Sequence, residues 1–231
     1  MIRFDAEKIE ENIQYKFQNR ALLKQAFSHS SYVNEMRINR PESYERLEFL
    51  GDAVLELISS EFLFEHYQEL PEGKLTKLRA SIVCEFTLSS ISKELQFGEF
   101  VLLSKGEEQT GGRQRESILC DLFESVLGAI YLDGGMEPAK KYVHNFLMTD
   151  IEHKTLFYDA KTTLQELVQK GDKGVVTYQL LEEKGPDHNK CFVTAVSIDG
   201  VQFAVGEGSS KKNAQQMAAY QAILKLKNEE R

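Results

Sequence analysis

Acidic residues interrupt a strongly apolar helical segment, and this combination constrains the fold more than any other feature of the sequence. Residues 45–55 read ERLEFLGDAVL, in which Glu45, Glu48 and Asp52 are spaced i, i+3 and i+7. This spacing places the three carboxylates on one face of a helix. The apolar residues around them are Leu47, Phe49, Leu50, Val54, Leu55, Leu57 and Ile58. Because apolar side chains cover so much of the circumference, we predict a largely buried helix.

A second apolar segment has the same arrangement, with Asp121 and Glu124 spaced i and i+3. The apolar residues around them are Ile118, Leu119, Leu122, Phe123, Val126, Leu127 and Ile130. If the two helices are antiparallel neighbours, their inward acids converge, which is unfavourable unless a cation lies among them. Oxygen ligands without His or Cys favour Mg²⁺ or Mn²⁺ over Zn²⁺. The pattern therefore indicates a magnesium site, which could serve phosphodiester hydrolysis without a covalent nucleophile.

A simpler interpretation of the acids stays open at this point, because each set could be a solvated stripe paired with nearby Lys or Arg. Other candidate residues are weaker. Ser28, His29 and Ser30 carry groups found at nucleophilic sites, but no Gly-x-Ser-x-Gly elbow surrounds them, which favours a structural or capping role. Glu72 stands at a predicted helix start, where the helix dipole already favours an acid. Cys120 is typical of a small buried residue.

The chain changes character after its first two thirds. From Ala6 to about Leu147 nearly every segment has apolar residues at three- and four-residue spacing, which predicts an all-α domain. Residues 148–158 are polar and are the best candidate for a linker, although they lack the Gly and Ser of a flexible one. We therefore predict two domains, at residues 1–155 and 156–231.

Start and stop signals bound the main elements of the first domain. A long helix is predicted to begin after Pro41 and to stop at Leu70-Pro71. A second is predicted from about Arg115 to the turn at Asp133-Gly134-Gly135. Between them, residues 106–114 contain Thr-Gly-Gly-Arg and are predicted to form an exposed loop.

The second domain is predicted to be a small α+β fold in the order α-β-β-β-α. Helical periodicity marks its first and last elements, and alternating apolar residues mark the three strands between them. Asp199-Gly200 stands between two alternating segments, which is a strong hairpin signal. The predicted elements are a helix at 162–169, strands at 175–182, 191–199 and 201–206, and a helix at 210–226.

The net charge of −8 argues against a nucleic-acid partner until its distribution along the chain is considered. Residues 1–157 hold 18 Lys and Arg against 26 Asp and Glu, whereas residues 158–231 hold 10 against 10. All of the acidic excess therefore lies in the first part of the chain.

Cysteine usage and hydropathy indicate where the protein works. Cys84, Cys120 and Cys191 are odd in number and far apart, which fits neither a disulfide framework nor a zinc site, so we expect reduced thiols. No stretch approaches the roughly 18 consecutive apolar residues of a membrane span. The first residues are acidic where a signal peptide would be basic. We therefore expect a cytoplasmic protein without a membrane partner.

Two lysines at the start of the last predicted helix favour an anionic partner. Ser209 or Ser210 is placed to cap this helix, and Lys211 and Lys212 follow in its first turn. Cations there oppose the helix dipole, whereas a phosphate would accept from the free N–H groups and pair with the ammonium groups. A solvated lysine pair is the alternative, and both interpretations stay open on this segment alone.

Several of these segments resemble bacterial ribonuclease III. In the first domain they are ERLEFLGDAVL at 45–55, EGKLTKLRA at 72–80 and ILCDLFESVLGAIYLDGG at 118–135. The second domain resembles the double-stranded-RNA-binding domain of that family at TLQE, 163–166, GPDHNKCF, 185–192, and GSSKKNAQQMAA, 208–219. The resemblance covers essentially the whole chain in the expected order, and its first motif is long and specific.

The resemblance implies an endoribonuclease that hydrolyses double-stranded RNA with Mg²⁺, or with Mn²⁺ as a substitute. Glu48, Asp52, Asp121 and Glu124 match the metal ligands of the family, and all four positions carry the expected acid. Asp52 and Glu124 match the positions on which hydrolysis most depends. The chain therefore lacks the substitution at a metal-ligand position that would mark a catalytically inactive relative.

The resemblance also implies an assembly and a set of products. Glu45 and Glu72 match acids with supporting roles in RNA contact and in the geometry of the second subunit. The family works as a homodimer whose paired sites each cut one strand, leaving 5′-phosphate and 3′-hydroxyl ends with a short 3′ overhang. Its substrates are ribosomal RNA precursors and structured messenger and small RNAs.

Six positions of the second domain match residues with which the family contacts RNA. Two on the first helix meet one minor groove, two in a loop enter the next, and two lysines contact phosphates across the major groove between them, over about 16 base pairs. In this order they are Gln165, Glu166, Pro186, His188, Lys211 and Lys212. Asn213 and Gln215 occupy places that are often charged in relatives, which bears on affinity but not on the mode of binding.

Two functions from other classes compete with this interpretation. A non-catalytic double-stranded-RNA-binding protein could use the first domain only to dimerise, but the intact acids argue against it. A helical interaction protein with a charged stripe does not explain the paired acid sets or the α-β-β-β-α order. Cleavage of duplex RNA only in the presence of Mg²⁺ would separate the enzyme from both.

Overall fold

A computed structural model describes residues 4–37, 42–170, 174–185 and 190–229. The chain divides into two units, Met1–Thr149 and Asp150–Arg231. The first unit is helical, and the second combines helices with one antiparallel sheet. The predicted fold class is therefore confirmed.

The first unit contains both of the long apolar helices that the sequence predicts. Its helices are α1 (Ala6–Ile13), α2 (Arg20–Ala26), α3 (Ser30–Glu35), α4 (Glu45–His66), α5 (Glu72–Ile82), α6 (Glu85–Glu94), α7 (Phe97–Phe100), α8 (Lys105–Gln109), α9 (Glu116–Gly134) and α10 (Met136–Phe146), with a short 3-10 helix at Gly112–Gln114. Pro41, the expected start signal of α4, lies outside the described residues. The helix ends at His66 rather than at Leu70, because residues 67–70 already form a turn before Pro71.

Helix α9 is the central helix of the first unit and packs against α4, α6, α10 and α2. Apolar side chains surround it on nearly every side, so it contacts several neighbours at once. Its buried residues include Ile118, Leu119, Leu122, Phe123, Val126, Leu127 and Ile130. Even so, no helix within the described residues combines the length and the hydropathy of a membrane span.

The second unit has the predicted α-β-β-β-α order, preceded by one further helix. Its elements are α11 (Ile151–Tyr158), α12 (Ala160–Lys170), β1 (Val176–Lys184), β2 (Cys191–Ile198), β3 (Val201–Gly208) and α13 (Lys211–Glu229). The strands pair antiparallel in the order β1-β2-β3, and α12 and α13 pack on one face of the sheet. The core between them consists of Ala160, Leu164, Val168, Val196, Ala204, Ala218, Ala219, Ala222 and Ile223.

The turn between β2 and β3 confirms the hairpin prediction. Asp199 and Gly200 have φ values of 50° and 77°, both in the left-handed region that a two-residue type I′ turn requires. The Asp199 carboxylate also accepts a hydrogen bond from the backbone N–H of Val175 at 2.9 Å. One short sequence signal thus determines the pairing of two strands.

The predicted linker is wrong, because residues 151–158 form α11 and belong to the second unit. Phe157 is buried, and its ring meets the ring of Tyr220 edge to face with centroids 5.7 Å apart. Leu156 packs against the core of the second unit. These apolar residues are too few to show a helical period by themselves, and only their tertiary partners explain the helix.

The segment 106–114, predicted to be an exposed loop, is also more ordered than expected. It holds most of α8 and the 3-10 helix, and Gly112 is buried. The Arg113 guanidinium donates to the carbonyl oxygens of Gly98 and Val101 at 3.0 and 2.7 Å. This arginine attaches the segment to the chain around α7, so the Gly-Gly pair marks a tight connection rather than a free loop.

Candidate active site

The candidate site lies where α4 crosses α9, and two buried glycines allow that crossing. A Cβ on Gly51 of α4 would lie 1.8 Å from the carbonyl oxygen of Glu124. A Cβ on Gly128 of α9 would lie 2.2 Å from the carbonyl oxygen of Leu47. Only glycine therefore lets the two backbones approach so closely. This close contact brings the acidic faces of the two helices together.

The pKa values of two glutamates show that the acids of α4 and α9 form one cluster. The pKa of Glu48 is raised to about 7, first by burial and then by neighbouring carboxylates, of which Asp121 contributes most. The pKa of Glu124 is raised to about 8, first by burial and then by Asp52 and Glu48. Each helix thus raises the pKa of an acid on the other. The four predicted ligand residues therefore lie within electrostatic reach of one another.

Tyr44 connects the start of α4 to this cluster, and the sequence interpretation missed it. Its hydroxyl group donates a hydrogen bond to Oδ2 of Asp121 at 2.9 Å. Burial raises the pKa of Asp121, while the Tyr44 hydrogen bond lowers it. The only sequence signal for Tyr44 is its position directly before Glu45, the first acid of the stripe.

Cys120 also borders the cluster. Its Sγ and one carboxylate oxygen each of Asp121 and Glu124 all lie within 4.8 Å of one another. Burial, followed by the charge of Glu124, raises the pKa of the Cys120 thiol. A thiol that keeps its proton is a poor metal ligand, so the carboxylates are the donors of this site.

The donor chemistry of the cluster fits a hard divalent cation. Carboxylate oxygens suit Mg²⁺ and Mn²⁺, and a cation among them would relieve the repulsion that raises the pKa values of Glu48 and Glu124. No Lys or Arg is found to pair with either glutamate among the described residues. The interpretation of the acids as a solvated stripe paired with basic residues is therefore disfavoured for these two.

The two supporting acids lie in different places. Glu45 is exposed at the first residue of α4, where Oε2 accepts from the Ser43 hydroxyl at 3.3 Å, and its charge adds to the raised pKa of Glu48. Glu72 is exposed at the first residue of α5, where it accepts from the Thr76 hydroxyl at 3.1 Å. Glu45 is thus at the edge of the cluster, and Glu72 is outside it.

The acidic stripe of α4 continues for one more turn, to Glu56, a residue that the sequence interpretation did not include. Its charge contributes to the raised pKa of Glu124. Glu56 is paired with Arg79 of α5 at 2.7 Å, and the same arginine donates to the Ser60 hydroxyl at 2.6 Å. Glu56 therefore joins α4 to α5 rather than serving as a free ligand.

The Ser-His-Ser segment before α3 has the capping role that the sequence favours. Nδ1 of His29 accepts from the backbone N–H of Ser31 at 3.0 Å, which makes His29 the N-cap of α3. The Ser28 hydroxyl donates to the carbonyl oxygen of Lys24 at 2.8 Å. Neither residue is arranged as a nucleophile with its base.

The predicted RNA-contacting residues of the second unit lie on exposed surface where they are described. Gln165 and Glu166 are exposed on α12, and Lys211 and Lys212 are exposed in the first turn of α13. The Ser210 hydroxyl accepts from the backbone N–H of Asn213 at 3.1 Å and so caps this helix. Pro186 and His188 lie outside the described residues.

A helical domain with a cluster of carboxylates, followed by an α-β-β-β-α domain with lysines at a helix start, defines a nuclease joined to a double-stranded-RNA-binding module. Residues 19–151 match a family model described as Ribonuclease-III-like. Residues 160–226 match the Double-stranded RNA binding motif. The chain belongs to the ribonuclease III family and is an endoribonuclease.

Relatives and solved structures agree with this assignment. The chain is 51% identical to Ribonuclease 3 of Bacillus licheniformis over 222 residues, which span 95% of this chain and 89% of that protein. It is 50% identical to Ribonuclease 3 of Shouchella clausii, over 93% of this chain and 83% of that protein. A solved structure of the nuclease domain of ribonuclease III from Campylobacter jejuni is 39% identical, with a TM-score of 0.59, and the match covers 63% of this chain and 98% of that chain.

Proposed function

We propose that this endoribonuclease hydrolyses phosphodiester bonds of double-stranded RNA in a reaction that depends on Mg²⁺, with Mn²⁺ as a substitute. One observation carries the proposal: Glu48 and Asp52 from α4 lie within electrostatic reach of Asp121 and Glu124 from α9 across the helix crossing. We assign these four residues as the metal ligands. A site of oxygen ligands at a close helix crossing is the kind that magnesium prefers.

The position of each carboxylate suggests how the site works. The cation supplies, when bound, positive charge that polarises the phosphodiester and makes water more acidic. Asp52 is exposed and therefore accessible to RNA, whereas Glu124 is half-buried at the crossing of the two helices. We propose that hydrolysis depends most on these two residues. The products would carry 5′-phosphate and 3′-hydroxyl ends.

We assign supporting roles to two further acids. Glu45 lies at the edge of the cluster and Glu72 lies exposed on α5, where each could meet RNA or a second subunit. Their exposure at helix starts supports a role in geometry rather than in metal binding.

For RNA binding we propose three contact regions in residues 156–231, with residues 1–155 as the catalytic and dimerisation domain. The residues are Gln165, Glu166, Pro186, His188, Lys211 and Lys212. The exposed lysines at the start of α13 support the phosphate contact, because the helix N-terminus adds free N–H groups to their charge. We propose ribosomal RNA precursors and structured messenger and small RNAs as cytoplasmic substrates.

A homodimer is supported by apolar side chains that the first unit leaves exposed. Phe49 and Phe64 of α4 are 80% and 73% exposed, and Leu57 lies between them on the same helix. Leu57 and Phe64 also line a groove of about 780 Å³ with Leu70, Leu75 and Met136. Such a stripe beside the acid cluster suits burial against a second copy. The Campylobacter jejuni nuclease domain is described as having a region involved in dimer formation.

Incubation of long duplex RNA with the full chain tests the proposed function. We expect discrete short products with Mg²⁺ or Mn²⁺ and none with chelator. Glu124→Gln is the matched control, since it removes one ligand charge while the second unit keeps its RNA-binding surface. This variant should bind duplex RNA normally and cleave none of it. Normal turnover by the variant, or cleavage without metal, would contradict the proposal.

A further inference from the structure

The Tyr44 side chain donates a hydrogen bond to Asp121, one of the four carboxylates assigned as metal ligands. It is 3% exposed, and its hydroxyl lies 2.9 Å from Oδ2 of Asp121, 77 residues further along the chain. A phenol donates one hydrogen at neutral pH, so the bond runs from Tyr44 to the carboxylate. The interaction joins the N-cap residue of α4 to the first half of α9.

The segment before α3 holds Tyr44 in place from two sides. The backbone N–H of Tyr44 donates to the carbonyl oxygen of Ser28 at 2.9 Å. The ring of His29 meets the Tyr44 ring edge to face, with centroids 5.5 Å apart. His29 is itself held by its cap on α3, so the phenol has a fixed direction toward Asp121. The Ser28-His29 pair thus has a structural task at the site without taking part in the chemistry.

We propose that Tyr44 is a positioning residue for Asp121, which it orients through Oδ2 so that the other carboxylate oxygen is directed to the cation. This inference rests on the proposed function, because Asp121 must be a metal ligand for its orientation to matter. A ligand carboxylate that is fixed by a second hydrogen bond loses less freedom on metal binding. Tyr44 therefore strengthens metal binding without touching the metal or the RNA.

Tyr44→Phe in the full chain tests the proposal, because it removes the hydroxyl and keeps the ring. We expect the Kd for Mn²⁺, measured directly by electron paramagnetic resonance, to rise about tenfold, as expected when a hydrogen bond to a charged group is removed. At saturating Mn²⁺ the kcat should return close to that of the unchanged protein, and the KM for duplex RNA should not change. Only the metal concentration needed for half-maximal rate should shift.

Tyr15→Phe is the matched control for this variant. The Tyr15 hydroxyl also donates to a carboxylate, Asp133 at 2.7 Å, but at the end of α9 away from the cluster. This control should change thermal stability and leave the affinity for Mn²⁺ unchanged. An unchanged affinity in Tyr44→Phe, or an equal loss in Tyr15→Phe, would overturn the positioning role.

A double-mutant comparison separates this proposal from the proposed function. Asp121→Asn should by itself weaken Mn²⁺ binding, and adding Tyr44→Phe should cause no further loss, because Tyr44 acts through Asp121. Full additivity of the two losses would overturn the positioning role and leave Asp121 as a ligand. Unchanged Mn²⁺ binding in Asp121→Asn would instead overturn the assignment of Asp121 as a ligand.

Discussion

At the scale of single residues, Glu48 and Glu124 hold protons more tightly in the metal-free folded protein than in the unfolded chain. Their pKa values are raised to about 7 and about 8 from the ordinary value of 4.5, mainly by burial. Ionising them in the folded protein therefore lowers the free energy of unfolding. A cluster that is unfavourable when charged and empty is suited to binding a cation.

This cost predicts how stability depends on pH. Raised carboxyl pKa values contribute stability below about pH 4.5, and that contribution is lost as the pH rises through about 7 and 8. In the presence of chelator we expect the Tm to fall between about pH 4.5 and pH 8, by about 3 °C for each kcal/mol of stability removed. Differential scanning calorimetry across this range measures the effect.

Metal and one variant provide the controls for the pH prediction. Mg²⁺ should raise the Tm most at the alkaline end, because the carboxylates are then free of protons. Glu124→Gln should flatten the fall in Tm, since the amide has no proton to lose. A chelated protein whose Tm rises over the same range would contradict the assignment of these pKa values.

At the scale of elements, the crossing of α4 and α9 decides whether the site exists. Two helix-interior glycines, each unfavourable for an isolated helix, are retained at the point where the backbones touch. The site therefore depends on a backbone contact as much as on its carboxylates.

Gly51→Ala tests this dependence. Its Cβ would meet the Glu124 carbonyl at 1.8 Å, so we expect a loss of about 3 kcal/mol or more in the free energy of unfolding, and weaker Mn²⁺ binding. Gly73→Ala in α5 is the matched control, because its Cβ would meet nothing within 4 Å. That change should stabilise slightly or do nothing. Urea denaturation of both variants gives the comparison, and similar stability of the two would contradict it.

The first turn of α13 carries the corresponding prediction for RNA binding. If Lys211 and Lys212 contact phosphates, replacing both with Ala should weaken binding to all duplex sequences equally, because phosphates carry no sequence information. The slope of log affinity against log salt should decrease by about one for each phosphate that a lysine no longer neutralises. Titrations against two unrelated duplexes over a range of salt measure both quantities.

Lys227→Ala is the control for the lysine pair, since Lys227 is exposed in the last turn of the same helix. It should leave the salt slope unchanged. At low salt and high protein the double variant should recover cleavage, because the carboxylate cluster belongs to the other unit. An unchanged slope, or weaker binding with one duplex only, would show that the two lysines are solvated surface.

At the scale of the whole molecule, assembly is the property with the largest consequence. The exposed stripe of Phe49, Leu57 and Phe64 lies on α4, the same helix that carries half of the cluster. A subunit contact there would place two clusters in one particle.

We therefore expect the full chain, and the fragment of residues 1–149 that forms the first unit, to have the mass of a dimer by light scattering at micromolar concentration. Phe64→Lys in the full chain should give monomers, because a charge cannot be buried in an apolar contact without a partner. Val201→Lys is the matched control, as Val201 is similarly exposed, at 69%, in the second unit. A monomer mass for the unchanged fragment would contradict the homodimer.

The sequence by itself determined the properties that depend on near neighbours along the chain. The spacing of Glu45, Glu48 and Asp52 predicted a common helical face, and alternation with the Asp199-Gly200 pair predicted the hairpin. Such patterns are readable because a helix turn or a two-residue turn relates residues only a few positions apart. The fold class and the acids that converge at the crossing follow from them.

The tertiary structure alone decided what depends on residues far apart in the chain. Tyr44 meets Asp121 only because α4 and α9 cross, and Gly51 matters only because the Glu124 carbonyl lies against it. The segment 151–158 was expected to be a linker because its few apolar residues show no helical period. It forms a helix because those residues find partners in the second unit, as Phe157 does in Tyr220. Local periodicity reports which side of an element is apolar, but the identity of the residue on the other side is decided by packing.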